Sequence, residues 1–359
     1  MYKNLSAVYK GKSVFVTGHT GFKGAWLLKV LHMLGAEVTG YSLPPVADNA
    51  LFNLIGGEKL CRSVTGNILD RELLTASVKE ARPDFVFHLA AQPLVRESYE
   101  IPSETFDVNV IGSANVLDAV KCLGKPVSVV MITTDKVYAN NEWIYPYREN
   151  DRLGGYDPYS ASKACAELVI DSYRNSFFNV TSYDTHRKGI AAARAGNVIG
   201  GGDWAKDRLL PDIARALLGE VEIQVRNPHS VRPWQHVLEP LGGYLLLGER
   251  MEAEPVRFSQ AYNFGPSGED ALPVESIVKI AIERWGRGKY MVYPSVGAPH
   301  EAGLLKLDIS KAVNEIGWRP RFTAATAVDW TMSWYKHYFD NKQGIASFTE
   351  SQIIDFLNG

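Results

Sequence analysis

A glycine cluster wedged between two different periodicities constrains this chain more than any other feature. Ser13-Val14-Phe15-Val16-Thr17 is a short apolar run, and Gly18-His19-Thr20-Gly21-Phe22-Lys23-Gly24 follows it directly. Apolar residues then recur at helical spacing (Trp26, Leu27, Val30, Leu31, Leu34) as far as Gly35. Glycines spaced GxxGxxG after a strand and at a helix start let the backbone turn tightly and approach a diphosphate, whose charge the helix N-terminus favours. The alternative is a tight turn with no ligand; the strand before it and the helix after it weigh against that.

The alternation continues along the chain. Residues 37–41 read as a second strand, 85–89 as a fourth, 105–123 as a long helix, 127–133 as a fifth strand and 160–174 as another helix. Strands apolar on both faces and separated by helices imply a parallel, doubly wound sheet. Beyond about residue 185 the alternation breaks, and glycine, proline and aromatic residues crowd together, as in Gly200-Gly201-Gly202-Asp203-Trp204 and Arg232-Pro233-Trp234. The expected fold is α/β: a Rossmann-type doubly wound parallel sheet with a smaller irregular α/β substrate lobe closing over its carboxyl edge.

A net charge of -2 over 359 residues gives no bulk attraction to nucleic acid or anionic membrane. Any phosphate-bearing ligand must be held by local residues. No run approaches the ~18 apolar residues that span a bilayer, and no apolar signal core precedes the first strand. Cys61, Cys122 and Cys165 are scattered without metal-ligand spacing and read as reduced, mostly buried thiols. The expectation is a cytoplasmic protein with no nucleic-acid or membrane partner.

Tyr159-Ser160-Ala161-Ser162-Lys163 sets a tyrosine and a lysine four residues apart at a helix start, on one face of the helix. A nearby ammonium favours the phenolate and lowers the tyrosine pKa, which suits proton abstraction from a hydroxyl. By spacing alone a surface pair is the better reading. Context reverses this, because Thr133-Thr134-Asp135-Lys136-Val137-Tyr138 ends the fifth strand at the same sheet edge as the glycine turn.

These segments, with His88-Leu89-Ala90-Ala91, resemble the extended short-chain dehydrogenase/reductase family from Gly11 to about Trp318. Within it the chain looks most like the nucleotide-sugar 4,6-dehydratases, in which Asp follows the catalytic threonine. The segments 200–204, 207–212 and 227–242 resemble the CDP-glucose branch. That resemblance implies NAD as cofactor, a nucleotide-diphosphate sugar as substrate, and conversion of CDP-D-glucose to CDP-4-keto-6-deoxy-D-glucose and water. Tyr159, aided by Thr134 and Lys163, would deprotonate the carbon-4 hydroxyl as hydride leaves for NAD. Water would then be lost across carbons 5 and 6, with Asp135 protonating the departing hydroxyl, and hydride would return to carbon 6. The residue after the Asp is commonly Glu in these dehydratases and serves as the carbon-5 base. Here it is Lys136, which either acts as that base, in neutral form, or orients Asp135.

The same resemblance assigns NAD contacts to Gly18, Gly21, Phe22, Lys23, Gly24, Ser42, Asn67, Ile68, Leu89, Ala90, Ala91, Thr133, Tyr159 and Lys163. The acidic residue that usually takes the adenosine ribose is absent, Gly40-Tyr41-Ser42-Leu43 standing there instead. Ser42 either bonds the ribose or is an exposed loop serine. Asn67 either meets the adenine or caps its loop. His88 reads as a packed structural residue, and Asn109 as a support of the sheet edge or plain helix surface. Asn197, Arg208, Leu209 and Arg232 are expected against the sugar nucleotide, with Arg208 and Arg232 suited to its diphosphate. Relatives often carry an arginine near His300, where this chain continues with Glu301.

The expected division is a dinucleotide-binding domain over 1–188, with returns near 230–262 and 308–334. A substrate lobe would take 189–229, 263–307 and the C-terminal tail. Residues 105–123 and 160–174 pair as a four-helix bundle in relatives, which implies a homodimer or homotetramer. The rival functions are a nucleotide-sugar 4-epimerase or reductase, a dehydratase for a GDP- or dTDP-sugar and, more remotely, a non-catalytic dinucleotide sensor.

Overall fold

Burial alternates with period two along the central strands. In β1 (Ser13–Thr17) Val14 and Val16 join one apolar cluster while Phe15 joins another. The computed structural model describes residues 2–268, 270, 272–293 and 304–359. It continues through β2 (Glu37–Ser42), β3 (Arg62–Thr65), β4 (Phe85–His88), β5 (Val127–Ile132) and β6 (Lys188–Ala195) to a last strand, Ala261–Phe264. Across the sheet the order is Ala261–Phe264, β6, β5, β4, β1, β2, β3, with every pairing parallel. The chain winds outward from β1 to β3, then returns to place β4 beside β1. The crevice at the carboxyl ends of β1 and β4 is therefore the switch point where such sheets bind ligands.

Phe85 and Phe87 face the cluster beneath the helices Phe22–Met33 and Leu238–Ala253, and Val86 faces the one beneath Arg71–Ala81 and Gly112–Lys121. Both sheet faces are thus covered, as a parallel sheet requires. The sheet extends beyond the expected limit at 188. β6 runs to Ala195 and pairs with β5, and Asn263 and Phe264, expected in the lobe, pair with β6. Gly189-Ile190-Ala191-Ala192-Ala193 is poor in the β-branched and aromatic residues that signal a strand, yet all of it is buried.

The expected helix 105–123 is a succession: Pro102–Phe106, a π turn over Asp107–Ile111, then Gly112–Lys121. The π turn inserts an extra residue and re-aims one side chain inward, Asn109. The lobe over the carboxyl edge holds Leu209–Leu218, Val274–Trp285 and two strand pairs, Ile223–Val225 with Tyr290–Val292 and Val231–Arg232 with Leu272–Pro273. Cys122 is exposed and Cys61 and Cys165 are half-buried, more open than expected, and all three are free. Among the described residues no helix is long and apolar enough to cross a membrane.

Candidate active site

Gly18 sits at φ +76, and a Cβ there would lie 2.7 Å from the Ala90 nitrogen. Only glycine lets the turn after β1 lie against the small segment after β4. Gly21 starts the helix Phe22–Met33 with no side-chain cap and no acidic residue in its first turn. The first helical N–H groups are thus left for an anion, and the turn fits a pyrophosphate. Behind it, Thr17 Oγ1 pairs with His88 Nδ1 at 2.7 Å and accepts from the N–H groups of Leu89 and Ala90. His88 Nε2 meets Ser113 at 3.2 Å, and burial together with the Lys163 charge holds the imidazole neutral, its pKa pushed down to about 3. It is the packed structural histidine the sequence suggested.

At the far end Ser42 Oγ pairs with Thr20 Oγ1 at 2.8 Å, so its hydroxyl already has a partner in the turn. Asn67 is exposed and its side-chain oxygen accepts from Leu69 N, which is the loop-capping reading. Ile68 is buried against Gly112.

The reactive groups gather at the end of β5. Thr134 Oγ1 donates to Asp135 at 3.0 Å and hydrogen-bonds Tyr159. Tyr159 and Lys163 reach this point because Asp157 caps their helix, accepting from Ser160 N at 2.9 Å, and Pro158 opens it. Lys163 Nζ donates to the carbonyl of Ile132 at 3.1 Å, and burial lowers its pKa to about 8. The expected lowering of the tyrosine does not occur: burial raises Tyr159 to about 12, against the bond from Thr134 and with the help of the Asp135 charge. Desolvation of the phenolate outweighs any field from the Lys163 ammonium here. Asp135 is 3 % exposed, and burial holds its carboxyl above the usual range against the pull of Lys136, Thr134 and Arg232. Lys136 stands half-buried beside it. Asn109 accepts from Gln92 N at 2.9 Å and donates to Ser162 Oγ at 2.9 Å, tying the π turn to the Tyr159 helix.

Sequence reasoning missed the layer beneath. Glu167 accepts Arg194 Nε at 3.0 Å and Nη2 at 2.9 Å, and also takes the Thr133 hydroxyl. Arg194 Nη1 donates to the Tyr138 hydroxyl at 2.8 Å, which in turn donates to Asn263 Oδ1. The available signal was the i, i+4 spacing of Lys163 and Glu167, which puts both on the helix face that meets the sheet.

All the sequence-assigned site residues line one cavity of about 1560 Å³, well above the volume of a single small-ligand pocket. Asn197, Leu209 and Arg232 stand on its lobe side, and Arg208 is held there by Asp203 at 2.8 Å. His300 and Glu301 lie outside the described residues.

A parallel sheet with a dinucleotide-type turn, a Tyr and Lys four apart on one helix and a Thr-Asp strand end define an oxidoreductase-type fold adapted to a second, sugar-sized ligand. The GDP-mannose 4,6 dehydratase family pattern matches residues 15–331, and the chain belongs to that family. It is 48% identical over 350 residues to a CDP-glucose 4,6-dehydratase of Salmonella typhimurium, covering 98% of this chain and 97% of that one. It is 28% identical to a dTDP-glucose 4,6-dehydratase of Streptomyces antibioticus over 90% of this chain and 92% of that one. Among solved structures, a dTDP-glucose 4,6-dehydratase from Streptomyces venezuelae with NAD bound superposes with a TM-score of 0.76 at 24% identity. That alignment covers 93% of this chain and 99% of the other.

Proposed function

We propose that this protein is a lyase converting CDP-D-glucose to CDP-4-keto-6-deoxy-D-glucose and water, with NAD reduced and reoxidised inside each turnover. The carrying observation is Asp135, a buried carboxyl bonded to Thr134 and lying in the same cavity as Tyr159. An epimerase needs the tyrosine but has no work for that acid.

The glycine turn and the bare helix start would hold the pyrophosphate of NAD, and Leu89, Ala90 and Ala91 its nicotinamide half. When bound, NAD supplies a hydride acceptor at carbon 4 and the same hydride at carbon 6, and its charged ring favours the Tyr159 phenolate. Tyr159 takes the carbon-4 hydroxyl proton, with Thr134 as the bridge to Asp135. Asp135, whose carboxyl burial holds above its usual range, gives its proton to the departing carbon-6 hydroxyl. Lys136, in its neutral form, would accept the carbon-5 proton. Arg208, Arg232 and Asn197 would hold the sugar nucleotide. Residues of the sheet bind the coenzyme and the lobe binds the substrate.

Exposed Phe106, Ile111 and Leu168 on neighbouring helices support a homodimer or homotetramer. We assign the enzyme to the cytoplasm, in deoxysugar synthesis for cell-surface polysaccharide. Incubating CDP-, UDP-, GDP- and dTDP-glucose with enzyme and NAD tests the reading. The CDP-sugar should yield a product with the strong near-ultraviolet absorbance of a 4-keto sugar in alkali. A simple epimer, or product from another nucleotide alone, overturns it.

A further inference from the structure

Arg96 and Asp207, both partly exposed, join the two halves of the cavity wall. Arg96 lies on the helix Val95–Glu100, which follows β4 on the coenzyme side, and Asp207 on the loop that leads into the lobe helix Leu209–Leu218. Arg96 Nη1 donates to Asp207 Oδ1 at 3.0 Å. Arg226, just past the lobe strand Ile223–Val225, donates to the same oxygen at 3.1 Å. Asp207 takes this place at φ +59, a left-handed conformation that Asp and Asn tolerate better than most residues. The next residue along is Arg208, assigned above to the diphosphate of the substrate. The reaction as written gives the Arg96–Asp207 pair no work.

The same short helix also reaches Tyr159. Ser98 is fully buried, and its hydroxyl donates to the Val95 carbonyl at 2.6 Å and accepts the backbone N–H of Tyr159 at 3.1 Å. That N–H lies in the first turn of the helix Pro158–Ser176, where the helix itself offers no acceptor, and the side chain of Asp157 serves Ser160 instead. Arg96 and Ser98 are two residues apart, about 200° around the helix axis, so one reaches the lobe while the other faces the Tyr159 helix. The helix Val95–Glu100 is thus a bar with the substrate loop on one side and Tyr159 on the other.

We propose that the Arg96–Asp207 pair positions Tyr159, by locking the loop that carries Arg208 to the helix whose Ser98 holds the Tyr159 backbone. This rests on the reading that Tyr159 deprotonates a sugar nucleotide held at Arg208. A diphosphate at Arg208 fixes the loop, the loop fixes Arg96, and Ser98 then presents Tyr159 to the carbon-4 hydroxyl. Proton removal is sensitive to a displacement of about 1 Å, and holding the nucleotide is much less so. Arg96, Asp207 and Ser98 are positioning residues; none of them gives or takes a proton in the reaction.

The test separates rate from affinity. Full-length wild type is compared with Arg96→Met, Arg96→Lys, Asp207→Asn, Ser98→Ala and the double variant Ser98→Ala/Asp207→Asn. In Asp207→Asn and Arg96→Met, kcat for CDP-glucose and the single-turnover appearance of reduced coenzyme should both fall by about tenfold. The melting temperature should hold, since ion pairs as exposed as this one, at 32 % and 39 %, add little stability. The dissociation constant of CDP, measured by calorimetry, should not rise, because Asp207→Asn keeps the left-handed backbone and unmasks two guanidiniums beside the diphosphate loop. Arg96→Lys should retain most of kcat. In the Ser98→Ala background Asp207→Asn should cost nothing further, as both changes cut the same line. Should Ser98→Ala not fold, the split between kcat and CDP affinity decides alone. An unchanged kcat overturns the proposal. So does weaker CDP binding with kcat intact, which would make the pair a substrate clamp, and so do additive losses in the double variant. A wild type that forms no 4-keto product from CDP-glucose would instead sink the reading of the reaction itself.

Discussion

At the level of single side chains, the proposed function makes Asp135 the group that would separate the dehydratase chemistry from plain oxidation. Asp135→Asn removes the proton but keeps the shape and the partner of Thr134. Product formation is expected to fall by ~10²–10⁴, while the near-ultraviolet band of reduced coenzyme appears and persists because the first oxidation still runs. Loss of that band together with the product would place Asp135 in the oxidation step instead. Lys136 is tested separately. Lys136→Ala should slow the entry of solvent deuterium at carbon 5 of the product, and incorporation at the normal rate would confine the lysine to orienting Asp135. Its ammonium already favours the carboxylate of Asp135, so the two roles oppose each other electrostatically.

Between elements, the Glu167–Arg194 pair decides how firmly the helix carrying Tyr159 and Lys163 is pinned to β6. Glu167 is 2 % exposed and Arg194 4 % exposed, with bidentate geometry. Glu167→Gln leaves a buried guanidinium without its counter-charge, which costs about 3–5 kcal/mol and should show as a lower urea midpoint. Arg194 and the Thr133 bond hold the Glu167 carboxyl below its usual range despite burial. A lowered folded pKa means the stabilisation is present above the unfolded value of about 4.3 and is lost as pH falls through the folded one. Wild type should therefore lose stability below about pH 4 more steeply than the variant. This layer was hard to read in the sequence because the buried ion pair joins residues 27 apart, and only Glu167, four residues after Lys163, leaves a local pattern. The sheet was legible where strands were rich in Val, Phe and Ile and ended in glycine. It was misread at β6, where alanines carry no strand signal although the sheet buries them. That Tyr159 and Lys163 share a cavity wall was legible from their i, i+4 spacing at a helix start. The protonation states were not, since desolvation depends on what the rest of the chain places around them.

Across the whole molecule, Glu239 ties the two chain ends to the centre. It sits at the start of the helix Leu238–Ala253, is 1 % exposed, and accepts the N–H groups of Arg321 and Phe322 at 2.8 and 2.7 Å. Its carbonyl takes Trp318 Nε1, and its field reaches Tyr2, which packs on Phe356 of the last helix. Among the described residues the second carboxyl oxygen has no partner, and burial raises the pKa from 4.5 to about 7. A carboxyl whose folded pKa is raised stabilises the fold fully below the unfolded value, and that contribution is lost as pH climbs through the folded one. Two and a half pKa units correspond to about 3 kcal/mol lost between pH 4.5 and 7. Glu239→Gln, neutral at every pH, should remove that slope: its melting temperature should stay level over this window while wild type declines. Equal slopes in the two proteins would mean that the packing of both termini around Glu239 leaves it open to water.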